Sequence, residues 1–176
     1  MQDNKLNAYN GINNVDITYC KEYTKLEESE VEALYNFIKN TSGNVLELGR
    51  LWGGSTKIIA SAAYPRSVVS VDIKRRPLKA FSEESEFDNL ILITADSTKL
   101  NLEEKFETIF IDVRPNIVHK NILNYWKNID KYFIFHDYPD IKNTIDLLIK
   151  HKKLEIISLT NTLLITKKCI TSTGTN

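Results

Sequence analysis

Hydrophobic positions along the chain follow two spacings, one typical of helices and one typical of buried strands. Val31, Leu34 and Ile38 recur at three- and four-residue intervals, which predicts an amphipathic helix. Short β-branched runs such as 68–71 predict buried strands. The pattern gives helices at 25–40, 55–63, 77–86, 117–129 and 141–150, and strands at 44–48, 67–73, 90–94, 108–112, 132–135, 154–159 and 162–166.

The order of these elements predicts the fold class. Strands that alternate with helices predict an α/β, Rossmann-like, doubly wound and mostly parallel sheet of seven strands. Only Thr160 and Asn161 join the last two strands, which is too short for a crossover and predicts an antiparallel C-terminal hairpin. We expect an N-terminal arm at 1–24, one globular domain at 25–168 and a flexible tail at 169–176.

Composition narrows the class of protein without naming a function. The 176 residues are 42% hydrophobic and 26% charged, which is ordinary for one globular domain. The formal net charge of zero argues against general nucleic-acid binding. Cys20 and Cys169 form no CxxC pair, so neither a disulfide framework nor a zinc site is expected. No apolar run suggests a signal peptide or a membrane partner, so we expect a cytoplasmic protein.

A glycine-rich turn follows the first predicted strand. The strand carries Glu47, the turn contains Gly49, Gly53 and Gly54, and a helix follows in which Ser55 or Thr56 is the expected cap. Glycines allow the backbone to approach a ligand where a Cβ would collide. Two interpretations remain open for this segment alone, a cofactor cradle and a tight strand–helix connection.

Polar residues end each of the following predicted strands. Asp72 ends the second strand, where an acid can accept hydrogen bonds from ribose hydroxyls, although a helix cap or a solvated residue is the alternative. Asp96, Asp112 and the pair His136-Asp137 end the third, fourth and fifth strands. Because open α/β sheets bind ligands along this edge, the series indicates a nucleoside-binding site.

These motifs together resemble a known family. The resemblance is to the class I S-adenosylmethionine-dependent methyltransferases, and within them most to small-molecule O-methyltransferases with a Glu-x-Gly-x-x-x-Gly-x-Ser-Thr motif. It covers about residues 26–168. The residues that carry it are Val45 to Thr56, Val71-Asp72, Ala95-Asp96-Ser97, Phe110-Ile111-Asp112 and Phe135-His136-Asp137-Tyr138.

The resemblance implies a cofactor, a reaction and a set of contacts. It implies S-adenosylmethionine as cofactor and O-methylation of a small hydroxylated molecule or sugar, by a protein that can be oligomeric. Glu47 and Gly49 would line the methionine portion, Asp72 would hold the ribose, and Asp96 and Ser97 would lie by the adenine. The complete expected cofactor-binding set is Glu47, Gly49, Gly53, Ser55, Asp72, Asp96, Ser97 and Asp112.

Methyl transfer to a hydroxyl requires removal of its proton, by a general base or by a metal that lowers its pKa. In related families acids at the ends of strands four and five hold a divalent cation. Asp112 and Asp137 occupy those places, and their hard oxygen ligands suit Mg²⁺. His136 is the candidate base because its ordinary pKa lies near neutrality. The expected catalytic set is therefore His136, Asp112 and Asp137.

The sequence also departs from the family pattern. Relatives often follow the strand-four acid with Gly-x-His-x-Tyr, whereas this chain has Val-Arg-Pro-Asn-Ile at 113–117, and we expect His119 to face outward. Tyr138 stands where a third metal ligand would be useful. An alternative is therefore a catalytically degenerate binding or accessory protein, and a third is a nucleoside- or nicotinamide-cofactor enzyme.

Two aromatic features complete the expectations. Tyr9, Tyr19 and Tyr23 in the N-terminal arm are candidates to close over the cofactor. Trp52, inside the glycine turn, is either a packing residue or a cover for the methionine end, and packing is the preferred interpretation.

Overall fold

A computed structural model describes residues 22–81, 87–151 and 153–169 of the chain. The expectations for Tyr9, Tyr19 and Cys20 lie outside these residues, and so does the predicted tail from 170 onward. Cys169 is a free thiol. Within the described residues no helix is long and apolar enough to cross a membrane.

Seven strands form one mixed sheet in the order β3-β2-β1-β4-β5-β7-β6. The first five strands pair in parallel, and β7 is antiparallel to both β5 and β6. This confirms the predicted fold class and the closing hairpin. The elements are α1 (Glu28–Lys39), β1 (Val45–Leu48), α2 (Gly54–Ala63), β2 (Val68–Asp72), β3 (Leu90–Thr94), β4 (Phe106–Ile111), α3 (Pro115–Tyr125), β5 (Ile129–Phe135), α4 (Tyr138–Lys150), β6 (Leu154–Thr160) and β7 (Leu163–Lys168).

Helices cover both faces of the sheet, because successive side chains of each buried strand point to opposite faces. Leu46 and Leu48 of β1 belong to one buried cluster, which α3 and α4 complete. Val45 belongs to the other, which α1 and α2 complete. Alternation therefore places Glu47 on the α2 side, and the carboxyl ends of β1 to β5 all reach one edge of the sheet.

The predicted helix at 77–86 is wrong for its described part. Residues 77–81 contain a turn and no helix, and 82–86 lie outside the described residues. The backbone N–H of Ala80 donates to the Trp52 carbonyl, and Leu78 and Phe81 pack in a small apolar cluster with Phe87. Contacts with the glycine turn and with Phe87 thus decide the conformation of 77–81, although the spacing of apolar residues favours a helix.

The predicted helix at 117–129 is displaced toward the N-terminus. It begins at Pro115, whose fixed φ suits the first helical position, and it ends at Tyr125. The Asn128 amide donates to the carbonyls of Leu102 and Glu104. Because these contacts hold the chain after the helix, Ile129 begins β5 instead of ending α3.

Candidate functional site

The glycine turn lies directly against the ends of β2 and β4. The Gly49 N–H donates to the Val71 carbonyl at 2.9 Å. Gly49 has a φ of +94°, and a Cβ there would lie 1.9 Å from the Asp112 carbonyl oxygen. Only glycine fits this position without moving backbone. The close approach brings the turn and the strand-four acid to the same place at the carboxyl edge.

Asp72 organises the turn through its side chain. One carboxylate oxygen accepts hydrogen bonds from the backbone N–H groups of Arg50 and Leu51, each at 3.0 Å. The other accepts from the Lys74 N–H at 2.8 Å. A carboxylate has about four acceptor sites, so these three bonds leave capacity for a further donor such as a ribose hydroxyl. The structure thus adds a backbone-shaping role to the one expected from the sequence.

Glu47 is fully buried beneath α2. Its carboxylate accepts hydrogen bonds from the hydroxyls of Ser55 at 2.7 Å and Thr56 at 2.6 Å, and from that of Ser70. Burial raises the pKa of Glu47, against the effect of these three bonds. The side chain ties β1 to β2 and to the first turn of α2, and its expected contact with the cofactor stays a prediction.

The expected helix cap is wrong. The N-cap position of α2 is Gly53, in a left-handed conformation with a φ of +88°, and no side chain caps the helix. The hydroxyls of Ser55 and Thr56 instead point back to Glu47. The buried carboxylate attracts the hydroxyls that would otherwise satisfy free backbone N–H groups at the helix start.

The end of β3 lies beside the end of β2, since the Ala95 N–H donates to the Asp72 carbonyl at 2.9 Å. Asp96 accepts from the N–H and hydroxyl of Thr98, and these bonds lower the pKa of Asp96. Ser97 is buried. Ile73, which the sequence reasoning missed, is 67% exposed directly after Asp72. An exposed apolar side chain between Asp72 and Asp96 is a surface suited to a flat ring.

Asp112, His136 and Asp137 come together at the ends of β4 and β5. The His136 Nδ1 lies 3.2 Å from an Asp112 carboxylate oxygen, and its Nε2 lies 3.6 Å from one of Asp137. One ligand atom from each residue lies within 4.8 Å of the others. The imidazole is buried, whereas the Asp112 and Asp137 side chains are 29% and 52% exposed. The histidine is therefore held inside the protein, whereas the two carboxylates remain accessible to a ligand.

Buried Glu30 of α1 also faces this histidine, with its carboxylate 3.7 Å from the His136 Nε2. Burial alone would lower the pKa of His136, but the Asp112 hydrogen bond and the charges of Asp112, Asp137 and Glu30 raise it above its ordinary value. Glu30 is not among the site residues predicted from the sequence. Its position four residues before the buried Leu34 is the signal that it lies on the inward face.

The backbone at Asp137 is left-handed, with a φ of +53°. Aspartate adopts this region more readily than most residues other than glycine. Asp137 is the N-cap residue of α4, so this conformation turns the chain from β5 into the helix with the Asp137 carboxylate 3.6 Å from the His136 Nε2.

Three other expected residues have clear placements. His119 is exposed, as expected from the sequence. The Tyr138 hydroxyl donates to Asp146 at 2.7 Å within α4, so this side chain is engaged away from the cluster of Asp112, His136 and Asp137. Trp52 packs against two cations, with Arg76 5.4 Å and Lys79 4.3 Å from its ring centre.

Comparison with known proteins shows the fold. No protein-family model matches the sequence, and no curated protein matches it either. Three solved structures are similar over most of their length. They are the methyltransferase PaMTH1 of Podospora anserina with S-adenosylhomocysteine bound (TM-score 0.69, 10% identity, 97% of this chain and 89% of that chain), an O-methyltransferase of Bacillus cereus in complex with S-adenosylhomocysteine (0.68, 13%, 93% and 91%), and the O-methyltransferase TomG of Streptomyces achromogenes with S-adenosylmethionine (0.67, 11%, 92% and 86%). The chain therefore has the fold of the class I S-adenosylmethionine-dependent methyltransferases.

Proposed function

We propose that this protein is an S-adenosylmethionine-dependent methyltransferase that acts on a hydroxyl group of a small molecule or sugar. The observation that carries the proposal is the convergence of Asp112, His136 and Asp137 beside the glycine turn. A cofactor seated over the turn would lie next to a cluster able to bind and deprotonate an acceptor. The solved structures with the same fold that hold S-adenosylmethionine or S-adenosylhomocysteine support the choice of cofactor.

We assign the cofactor contacts from the side chains at the carboxyl edge of the sheet that can accept a hydrogen bond or offer an apolar surface. Asp72 has acceptor capacity for ribose hydroxyls, Ile73 offers an apolar surface for the adenine, and Asp96 and Ser97 lie at the next strand end. The turn from Gly49 to Gly53 would take the methionine portion. No phosphate-binding spacing of glycines is present in this turn, which favours S-adenosylmethionine over a dinucleotide.

The cluster at β4 and β5 fits a divalent cation held by two carboxylates, because ligand atoms of Asp112 and Asp137 lie within 4.8 Å of each other, beside the His136 imidazole. When bound, Mg²⁺ or a similar cation lowers the pKa of a coordinated hydroxyl. Asp112 and Asp137 would hold it. His136 would accept the proton of the acceptor hydroxyl, and Asp112 orients the imidazole through Nδ1.

Calorimetric titration with S-adenosylhomocysteine, S-adenosylmethionine and NAD tests the cofactor. We expect both sulfur compounds to bind and NAD not to bind. Asp72→Asn removes a charged acceptor, so the dissociation constant for S-adenosylhomocysteine should rise by about 10- to 100-fold. Asp88→Asn, an exposed acid before β3, is the matched control and should change it less than twofold. Folded protein that binds neither sulfur compound contradicts the proposal.

Cation binding and methyl transfer form the second test. Mn²⁺ titration followed by electron paramagnetic resonance should detect one site, which Asp137→Asn weakens by at least about tenfold. The control is Asp130→Asn, an exposed acid near the amino end of β5, far from the carboxyl end that Asp137 follows. Methyl transfer to a panel of hydroxylated sugars and phenols should fall with Asp112→Asn. Cofactor binding without transfer to any acceptor would favour the degenerate accessory protein.

A further inference from the structure

A pocket rich in arginine lies beneath the loop that follows β2. It has a volume of about 220 Å³ and includes Arg50 of the glycine turn. Its lining residues are Arg50, Arg75, Arg76, Leu78, Leu92 and Thr94. None of these residues belongs to the cluster proposed above for the cation or for the base.

Arg50 places a buried charge at this pocket, since the residue is only 4% exposed. Its guanidinium donates to the Ser70 carbonyl at 2.7 Å and to the Ile93 carbonyl at 3.4 Å. Among the described residues no carboxylate lies within 4.0 Å of it. The buried acid Glu47 attracts it electrostatically, but that carboxylate is engaged by three hydroxyls. A buried cation without a paired anion is costly, and an anion in the pocket would offset that cost.

Arg76 supplies an unpaired donor at the same pocket. Its Nε is buried and has no hydrogen-bond partner among the described residues. Its guanidinium carbon lies 5.4 Å from the centre of the Trp52 ring, a cation–π contact that favours this position of the group. A buried donor left without an acceptor costs about 1–3 kcal/mol, so an acceptor placed here would be favoured.

We propose that this pocket binds the phosphate group of a phosphorylated small molecule. Guanidinium groups match phosphate oxygens with paired N–H donors, and three arginines, Arg50, Arg75 and Arg76, line the pocket. The volume is below the roughly 300–1,000 Å³ of pockets that enclose a whole drug-sized ligand, so it suits one group of a larger molecule. Leu78 and Leu92 offer an apolar wall to the part that adjoins the phosphate.

A nucleic acid is a poorer match to the same chemistry. The whole chain has a formal net charge of zero, whereas binding of a polyanion depends on an extended basic surface. The pocket is also a single concave site that ends on apolar side chains. A short RNA is therefore a comparison ligand in the test.

The test is a titration of the full chain with ribose 5-phosphate, ribose and inorganic phosphate, without any sulfur cofactor, followed by calorimetry. Because no cofactor is present, failure of this proposal is distinguishable from failure of the proposed methyltransferase function. We expect ribose 5-phosphate and phosphate to bind with millimolar or tighter affinity and ribose not to bind. Arg76→Gln should weaken the binding by at least about tenfold, as loss of a charge-assisted hydrogen bond implies.

Lys74→Gln is the matched control, because it removes one positive charge from the same loop outside the pocket lining. Its effect should be less than twofold. Equal losses in the two variants would mean general charge attraction and would overturn the proposal. So would the absence of binding by wild-type protein, or preferential binding of a short single-stranded RNA with a steep salt dependence. A thermal unfolding curve of Arg76→Gln that matches wild type shows that the variant is folded.

Discussion

The two edges of the sheet use acidic residues in opposite ways. At the amino edge, the Glu107 carboxylate accepts from the backbone N–H groups of Ser42 and Gly43 and from the Lys131 ammonium, and its side chain is 8% exposed. At the carboxyl edge, the Asp112 and Asp137 carboxylates are partly exposed and face a histidine. The Glu107 carboxylate is buried and has its hydrogen-bond partners within the protein, whereas the Asp112 and Asp137 carboxylates can still bind a ligand.

An arginine also satisfies backbone carbonyls at the amino edge. Arg66 donates to the carbonyls of Ile38 and Gly43 at 2.6 and 2.8 Å and to the Thr41 hydroxyl at 2.9 Å. These bonds satisfy one carbonyl in the last turn of α1 and one just before β1, and so tie the end of the helix to the start of the strand. At the carboxyl edge the backbone is left-handed at Leu51 and Asp137. The comparison indicates that the acids of the amino edge serve stability alone, whereas the carboxyl edge combines close packing with acids that keep free acceptor capacity.

The largest effect should come from the close backbone packing at Gly49 on the carboxyl edge. Gly49→Ala would place a Cβ 1.9 Å from the Asp112 carbonyl oxygen, so the free energy of unfolding should fall by about 4 kcal/mol or more. Gly53→Ala has a similar φ, but its Cβ would meet only side chains of Phe81 and Leu78 at 3.0 Å and beyond, and should cost about 1–2 kcal/mol. Urea unfolding followed by circular dichroism measures both. Equal losses would contradict the close backbone approach.

Glu107→Gln should produce the next largest effect. Burial opposes ionisation, but the bonds from Lys131, Gly43 and Ser42 lower the pKa of Glu107 from 4.5 to about 2. This stabilises the charged form by about 3 kcal/mol, so the variant should lose about 2–3 kcal/mol at neutral pH. In the wild type this contribution is fully present above pH 4.5 and is lost as the pH falls toward about 2.

Urea unfolding at a series of pH values checks this expectation. Glu104→Gln alters an exposed acid of the same edge that accepts one bond from Asn44, and it should change stability by less than about 1 kcal/mol. If Glu107→Gln folds normally and is as stable as wild type, the acid of the amino edge does not have the stabilising role that we assign to it.

The smallest expected effect is on the pH dependence of stability, through His136 at the carboxyl edge. Because the pKa of His136 is raised, its protonated form stabilises the fold at pH values below its ordinary 6.5, and this contribution is lost as the pH rises through the raised value. His136→Gln should flatten the dependence of stability on pH across this range. The measurement compares free energies of unfolding at about pH 6 and about pH 9 for both proteins. An identical pH dependence in wild type and variant would contradict the electrostatic coupling to Asp112 and Asp137.

Much of the fold was predictable because it follows from local patterns. The spacing of Val31, Leu34 and Ile38 gave α1, and the β-branched runs gave the strands. The short link at Thr160 and Asn161 required the hairpin that β6 and β7 form. Prediction failed where a distant contact decided the outcome. Residues 77–81 are held by a hydrogen bond from Ala80 to Trp52 of the glycine turn. Asn128 is held before β5 by bonds to the carbonyls of Leu102 and Glu104, about 25 residues earlier in the chain.

By itself, the sequence determined the order of the seven strands along the chain and the polar residues at or just after the ends of β2 to β5, because both are properties of neighbouring residues. Only the tertiary structure decided how those side chains are used. It turned Ser55 and Thr56 toward Glu47, set Glu30 of α1 against His136, and buried Arg50 at a pocket beneath the β2 loop. Each outcome joins residues from different elements, and burial sets its energy, so no local pattern could have fixed it.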